Sequence, residues 1–284
     1  MKKKIYYIGL GKMGMGMATR LVQSGWDVHA TDPNKDARKE AESAGITTYA
    51  TLDDLLAQTD DTKKCIWLMV PHAVVPHVLE DILPLLNTGD TVIDGGNSNY
   101  KKTLEHAKRA EEKGIQFMDI GVSGGPEGAR NGACCMVGGD KALYDELESL
   151  FQDISAPNAY GYMGNVGAGH FVKMVHNGIE YGMMQAIGEG FAIMKHADVF
   201  DIDLTEVSRV YNNQSVIESR LVGWLQKAYK DWGEDLETIS GEVSHSGEGQ
   251  WTVETAQELG IPAPLIEKAL QFRKDSQGNP SYTG

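Results

Sequence analysis

Five polar residues of this 284-residue chain, Lys173, His176, Asn177, Glu180 and Tyr181, sit at offsets of three, four, seven and eight from the lysine. That spacing stacks side chains on one face of an α-helix. A lone Lys–Glu pair is more often part of a solvated helix face, since both residues are rarely buried. Here the flanks argue otherwise: Phe171, Val172, Met174, Val175 and Ile179 are apolar, and Gly167, Ala168, Gly169, Gly178 and Gly182 are small enough for close backbone approach. A lysine in such a dry cleft loses affinity for its proton and can serve as a general base, while a carboxyl there keeps its proton and can serve as an acid. Read alone, His176 is as readily a satisfied core histidine as a functional one.

The element that must hold these groups is the proline-free stretch 165–197, which reads as one long helix. From Gly182 onward it is nearly all apolar or small and is expected to be buried on every side. A second motif lies at the start of the chain. An apolar run over 4–9 leads into Gly9-Leu10-Gly11-Lys12-Met13-Gly14 and then a helical pattern to Ser24. Glycines in a strand-to-helix turn let a backbone approach a pyrophosphate, and the helix N-terminus offers it free N–H groups. The next strand ends at Asp32. A carboxylate there accepts hydrogen bonds from ribose hydroxyls and repels a 2′-phosphate, which favours NAD, although a helix-capping role is its ordinary alternative. Lys35 and Arg38 keep NADP open as the weaker cofactor.

Strand and helix patterns then alternate: helices at 35–44 and 52–58, a strand at 65–70, a helix at 74–86, a strand at 91–94, a helix at 100–113 and a strand at 115–119. Further strands at 133–137 and 159–162 flank a helix at 141–153. This rhythm predicts an α/β domain with a doubly wound, mainly parallel sheet. In such sheets the turns after the strands line the ligand crevice, which singles out Val70-Pro71-His72-Ala73, Gly95-Gly96-Asn97-Ser98 and Gly121-Val122-Ser123-Gly124-Gly125. Plain turn chemistry is the competing explanation for the Asn, Ser and Gly residues among them. Beyond about Gly164 the pattern is purely helical, at 204–212, 215–231, 253–259 and 264–273. The expected domains are therefore 1–164, which binds dinucleotide, and 165–284, an all-α domain built around the one long buried helix. Residues 275–284 lack periodicity and are expected to form a loose tail.

Composition narrows the partners. With 26 basic against 40 acidic residues the formal net charge is -14, which argues against nucleic acid and anionic membrane. An anionic substrate would need local cations. Cys65, Cys134 and Cys135 form neither a disulfide framework nor a zinc spacing, and no His/Asp/Glu spacing suggests a metal. No run reaches a membrane span, and the basic start at residues 1–4 lacks the apolar segment of a targeting signal. A reducing cytoplasm is the expected setting. An all-apolar helix in a small helical domain needs more cover than its own domain supplies, so a homodimer or homotetramer is expected.

The motifs resemble a known family. Ile8-Gly9-Leu10-Gly11-Lys12-Met13-Gly14, with Met17 and Leu21, is similar to the opening of the β-hydroxyacid dehydrogenases. Asp94-Gly95-Gly96-Asn97-Ser98, the run from Val122 to Arg130 and the run from His170 to Gly182 resemble more closely the decarboxylating 6-phosphogluconate dehydrogenases of the pentose phosphate pathway and gluconate metabolism. The resemblance spans nearly the whole chain and implies a Rossmann-type first domain. It implies Lys173 as general base and Glu180 as general acid, with Asn177 beside them. Asn97, Ser123, Gly124, Gly125, His176, Asn177 and Tyr181 would hold a sugar acid phosphate, with Arg273 on its phosphate. Gly9 to Gly14, Asp32, Val70, Pro71, His72 and Asn97 would hold the cofactor.

Two departures stand out. The long-chain members carry a lysine-bearing K-G-T-G-K-W motif where this chain has Ser246-Gly247-Glu248-Gly249-Gln250-Trp251. They also carry a second helical repeat and a C-terminal tail absent here, so the chain resembles the short, NAD-preferring branch. The rival readings are another β-hydroxyacid dehydrogenase, such as one acting on 3-hydroxyisobutyrate, and a catalytically idle NAD-binding module.

Overall fold

The computed structural model describes residues 3–57 and 63–284. Met1, Lys2 and Gln58, the expected end of the helix at 52–58, lie outside the described residues. The chain divides into two compact units, Met1–Met174 and Val175–Gly284. In the first, strands β1 (Lys4–Ile8), β2 (Asp27–Thr31), β3 (Thr47–Tyr49), β4 (Cys65–Leu68), β5 (Thr91–Asp94), β6 (Gln116–Ser123), β7 (Ala133–Gly138) and β8 (Ser155–Gly164) alternate with helices. The helices are α1 (Lys12–Gln23), α2 (Lys35–Ser43), α3 (Leu52–Leu56), α4 (Val75–Ile82), α5 (Tyr100–Glu111), α6 (Gly125–Asn131) and α7 (Lys141–Ile154).

The strands form one eight-stranded sheet in the order β3-β2-β1-β4-β5-β6-β7-β8. β7 pairs antiparallel with β6 and parallel with β8, so these last two strands run against the other six. The apolar runs have a direct cause. Ile5 and Tyr7 of β1 join one core and Tyr6 and Ile8 the other, so both faces of the sheet are covered and every position must be apolar. The doubly wound, mainly parallel architecture expected from the sequence is present.

Several elements differ from the sequence reading, β8 among them, which runs Ser155–Gly164 where 159–162 is expected. β3 is too short to give a periodic signal. β6 continues to Ser123 because β7 pairs with Gly121, Val122 and Ser123, so residues that resemble a turn are held as strand. α6 starts directly after Gly124, whose φ of 118° needs a glycine, and Pro126 is compatible with a helix's first turn.

The last element of the first unit begins the long helix α8 (Ala168–Lys195). Its start is wedged onto β6 and β7. A Cβ on Gly121 would lie 2.2 Å from Lys173 Cβ, one on Gly138 2.7 Å from the Gly169 nitrogen, and one on Gly169 2.5 Å from the Met136 carbonyl. Only glycines allow this approach. Asp119, fully buried, fixes the wedge: its carboxylate accepts the N–H of Gly167 at 2.6 Å and of His170 at 2.7 Å. These are orphan donors of the first helical turn. His170 is buried, with Nδ1 2.7 Å from Thr103 Oγ1. Burial pushes the Asp119 carboxyl above its usual range, against the pull of His170 and the two N–H groups.

The second unit holds the rest of α8 with α9 (Leu204–Tyr211), α10 (Arg220–Trp232), α11 (Glu248–Glu258) and α12 (Pro264–Asp275). Phe191 of α8 packs with Leu204 and Tyr229, and Tyr181 with Ala269 and Leu270. The all-round burial expected of α8 beyond Gly182 is not found. Phe191 is 2% exposed, but Met183 is 42% and Ile193 73% exposed, in line with Ile179 at 53%. A unit of four short helices covers only one flank of so long a rod.

α10 starts at Arg220, where Ser219 accepts the Val222 N–H as cap, and α11 starts at Glu248, inside a glycine-bearing stretch that resembles a break. The expected loose tail is also overturned. Tyr282 bonds the Tyr229 hydroxyl at 2.9 Å and donates to the Glu234 carbonyl at 3.0 Å, so a part-buried phenol pair ties this segment to α10. Among the described residues no helix is long and apolar enough to cross a membrane.

Asp119→Ala strips the partner from two buried N–H groups and is expected to cost on the order of 2–4 kcal/mol. Urea unfolding followed by circular dichroism measures it; an unchanged midpoint would show that the wedge does not depend on this carboxylate.

Candidate dinucleotide and acid–base site

In the first unit the loops after β1, β4, β5 and β6 meet in sequence. Gly9 has φ 99°, and a Cβ there would lie 2.4 Å from the Met69 carbonyl and 2.9 Å from Val70 Cγ1. Gly14 presses as closely on the Gly9 carbonyl, at 2.1 Å from an added Cβ. These two glycines fold the turn on itself, while Gly11 has nothing within 4 Å of its Cβ position. Gly11 caps α1 without a side-chain hydrogen bond, and the first turn of α1 has no acidic residue. A helix start with no capping side chain and no acidic residue is the arrangement a pyrophosphate requires. Lys12 is exposed and Met13 half-buried, both in that first turn.

Asp32 closes the other side of the turn. Oδ2 accepts the Leu10 N–H at 2.7 Å and Oδ1 the Asn34 N–H at 2.8 Å. Its carboxylate is therefore set against the glycine turn by the backbone in a turn-holding role, while the helix-capping role is filled by Asn34, whose side chain accepts the Asp36 N–H. Arg38 turns back to donate to the Asp32 and Pro33 carbonyls.

Val70 links this turn to the next, since a Cβ on Gly96 would meet its carbonyl at 2.5 Å. Pro71 and His72 follow it on the exposed part of the loop. Buried Asp94 shapes the β5 turn by accepting the Gly96 N–H at 2.9 Å and the Ser98 hydroxyl at 2.8 Å. Asn97 then adopts φ 54°, a conformation that asparagine tolerates better than most residues. Its side chain pairs with the Val122 backbone, accepting the N–H at 3.0 Å and donating to the carbonyl at 3.3 Å. Ser123, Gly124 and Gly125 follow at the start of α6, and the Gly125 Cβ position is also open. Gly121, two residues back, carries Lys173, which is 5% exposed. The structure thus brings Gly9–Gly14, Asp32, Val70, Asn97, Ser123–Gly125 and Lys173 into one continuous set of strand ends.

In the second unit Asn177 is 8% exposed, and its Oδ1 lies 3.0 Å from His176 Nδ1. The same ring nitrogen is 3.7 Å from Glu180 Oε2, both side chains being part-exposed. Tyr181 is buried under Arg273, whose guanidinium lies 3.6 Å from the ring centroid, a close cation–π contact. Arg273 donates to the Ser244 carbonyl at 2.7 Å. Burial holds the Tyr181 phenol above its usual range, opposed by Arg273, and holds the Arg273 guanidinium below its own, opposed by Tyr181 and Glu180. Sequence reasoning named both residues but not their stacking. It noted Ser246 and Glu248 only as a departure from the family motif and not as partners of the pair, because a glycine-flanked glutamate resembles a solvated turn.

This sheet order, with an open glycine turn at the first helix and a carboxylate after the second strand, defines a dinucleotide-binding oxidoreductase fold. The NAD binding domain of 6-phosphogluconate dehydrogenase matches residues 4–195, and that enzyme's C-terminal domain matches residues 169–281. The chain belongs to the 6-phosphogluconate dehydrogenase family. YqeC of Bacillus subtilis, provisionally named a 6-phosphogluconate dehydrogenase, is 43% identical over 99% of this chain and 94% of its own length. A Haloferax volcanii relative, named as an NAD-dependent, decarboxylating 6-phosphogluconate dehydrogenase, is 40% identical over 97% of this chain and 91% of its own. Among solved structures, the Plasmodium falciparum 6-phosphogluconate dehydrogenase, described with NADP and with 6-phosphogluconate, superposes with a TM-score of 0.84 at 31% identity, over 96% of this chain and 62% of that one. A Mycobacterium tuberculosis 3-hydroxyisobutyrate dehydrogenase shares the fold, with a TM-score of 0.79 at 20% identity.

Asn97→Ala removes both bonds to Val122 and is expected to lower stability by about 1–2 kcal/mol and to weaken binding of both cofactor and substrate. Isothermal titration with NAD checks it; wild-type affinity in a folded variant would separate Asn97 from the cofactor side.

Proposed function

We propose that the chain oxidatively decarboxylates 6-phosphogluconate to ribulose 5-phosphate and carbon dioxide with NAD as oxidant. The observation that carries this reading is the buried Lys173, held on Gly121 beside the Asn97–Val122 pair. The chain's residues fit the dinucleotide: Gly11 and Gly125 leave open the space a Cβ would fill, and the uncapped start of α1 offers N–H groups. The Asp32 carboxylate supports NAD over NADP, since it would repel a 2′-phosphate, and the Haloferax relative carries NAD dependence in its name. When bound, the nicotinamide supplies the hydride acceptor.

Lys173, as the neutral amine, takes the proton of the carbon 3 hydroxyl as that carbon gives up its hydride, leaving a 3-keto acid. The bond to the carboxylate then breaks, carbon dioxide departs and the electron pair moves into the carbonyl. The lysine ammonium stabilises the developing enolate oxygen and returns its proton there. Glu180, two helical turns further along α8, protonates the carbon that lost carbon dioxide while Lys173 takes the enol proton back, so that the oxygen closes to the carbonyl of ribulose 5-phosphate. Asn177 and His176 hold the sugar acid between them, and Tyr181 with Arg273 takes its phosphate. The stacked pair favours this substrate over 3-hydroxyisobutyrate, which would leave a buried guanidinium without an anion. The exposed stripe of Ile179, Met183 and Ile193 supports a second copy of the chain as its cover, hence a homodimer or larger assembly in the cytoplasm.

Lys173→Met is expected to lower kcat by about 10²–10⁴-fold while NAD still binds; full activity would remove the amine from the mechanism. A matrix of NAD or NADP against 6-phosphogluconate, gluconate and 3-hydroxyisobutyrate, read as NADH or NADPH formation and carbon dioxide release, tests the assignment. The expected outcome is carbon dioxide from NAD with 6-phosphogluconate alone.

A further inference from the structure

Among the buried ionisable groups that the proposed chemistry does not use, one lies next to the proposed phosphate residues. Glu248, at the first position of α11, is 6% exposed, and carboxylates are seldom buried without a partner. Its Oε2 accepts the Ser246 hydroxyl at 2.5 Å. Ser246 in turn hydrogen-bonds the Tyr181 phenol through both its backbone and its side chain, and Glu248 acts on the same phenol as a nearby negative charge.

The ring of Tyr181 is boxed in from two sides. Arg273 covers one face at 3.6 Å, and Gly249 is so close that a Cβ there would lie 2.2 Å from the ring. Arg273 also ties down the loop that carries Ser246, through the Ser244 carbonyl. Among the described residues no carboxylate forms an ion pair with Arg273, yet Glu248 and Glu180 both reach the pair with their charge. The pocket therefore offers one desolvated guanidinium, opposed by Glu180 directly and stacked on a phenol that feels Glu248.

We propose that Glu248 is a specificity-determining residue for the anion pocket of Tyr181 and Arg273, acting in two opposed ways. Through Ser246 it holds the phenol in place to meet an anion. By its charge it weakens the pocket's grip on any anion that arrives alone. A buried guanidinium with no opposing charge nearby would be filled by free inorganic phosphate; with Glu248 acting on the phenol stacked against it, a phosphate binds well only when the rest of a sugar acid is held elsewhere. The inference rests on the proposed role of Tyr181 and Arg273, but its test does not depend on turnover.

Two variants separate the effects. Glu248→Gln keeps an acceptor for Ser246 and removes the charge, whereas Ser246→Ala cuts the link and leaves the charge. Calorimetric titration of each full-length variant with inorganic phosphate, in NAD-saturated protein, reads anion affinity directly. Glu248→Gln is expected to bind phosphate at least threefold more tightly than wild type, and Ser246→Ala at least threefold more weakly, with Arg273→Met losing binding. In an active enzyme the first change also appears as stronger competitive inhibition by phosphate. Thermal melting with NAD establishes that each variant is folded; should Glu248→Gln not fold, Ser246→Ala decides alone. Unchanged phosphate affinity in the folded variants overturns the proposal, as does the absence of phosphate binding in every form. The predicted shifts in a protein that does not oxidise 6-phosphogluconate would support the role of Glu248 and sink the proposed reaction instead.

Discussion

The structure depends on a close approach that only glycines permit. α8 starts against β6 and β7 with Gly121, Gly138 and Gly169 at the contacts, and a single methyl at any of them would push the helix off the sheet. The buried Asp119 carboxylate locks the approach by taking two free N–H groups of the helix start. Removing a helix end from water is costly unless its donors are paired. The same pairing that stabilises the junction fixes where Lys173 stands, one turn on. Packing and chemistry are here one constraint.

A similar economy holds in the loops. Gly9, Val70, Gly96, Asn97 and Val122 come from different strands, and each is held by contact with the next. The open positions at Gly11 and Gly125 are the exceptions, places where the backbone approaches nothing of its own. Asp94 and Asp119 are both buried carboxylates that spend their oxygens on backbone and hydroxyl donors, so they shape turns and carry no chemistry themselves.

Much of this was legible from the residues. The apolar runs of β1, β4 and β5, buried on both faces, gave unambiguous strands, and the offsets from Lys173 to Tyr181 placed one polar stripe on one helix. What escaped depended on contacts distant in sequence. β6 beyond Asp119 is strand because β7 lies antiparallel beside it, and the tail is held by distant partners such as Tyr229 and Glu234, which Tyr282 finds. The burial of α8 was overestimated because an apolar sequence reports what a helix would prefer, not what one unit has surface enough to cover. Glu248 was unreadable for the opposite reason: its charge suggests solvent, and only the position of Tyr181 shows otherwise.

The wedge has a further consequence for the spacing of the chain. From Gly169 to Lys173 a helix advances roughly 6 Å, and from Asp119 to Gly121 a strand advances roughly 6.6 Å. Gly169 lies against the Asp119 carbonyl and Lys173 against Gly121, so helix and strand run side by side with nearly matched rise. Deleting one residue from that helical turn would swing the amine by about 100°, and deleting one from the strand would send its side chains to the opposite face of the sheet. Length changes, more than changes of residue type, are what this junction is least able to absorb.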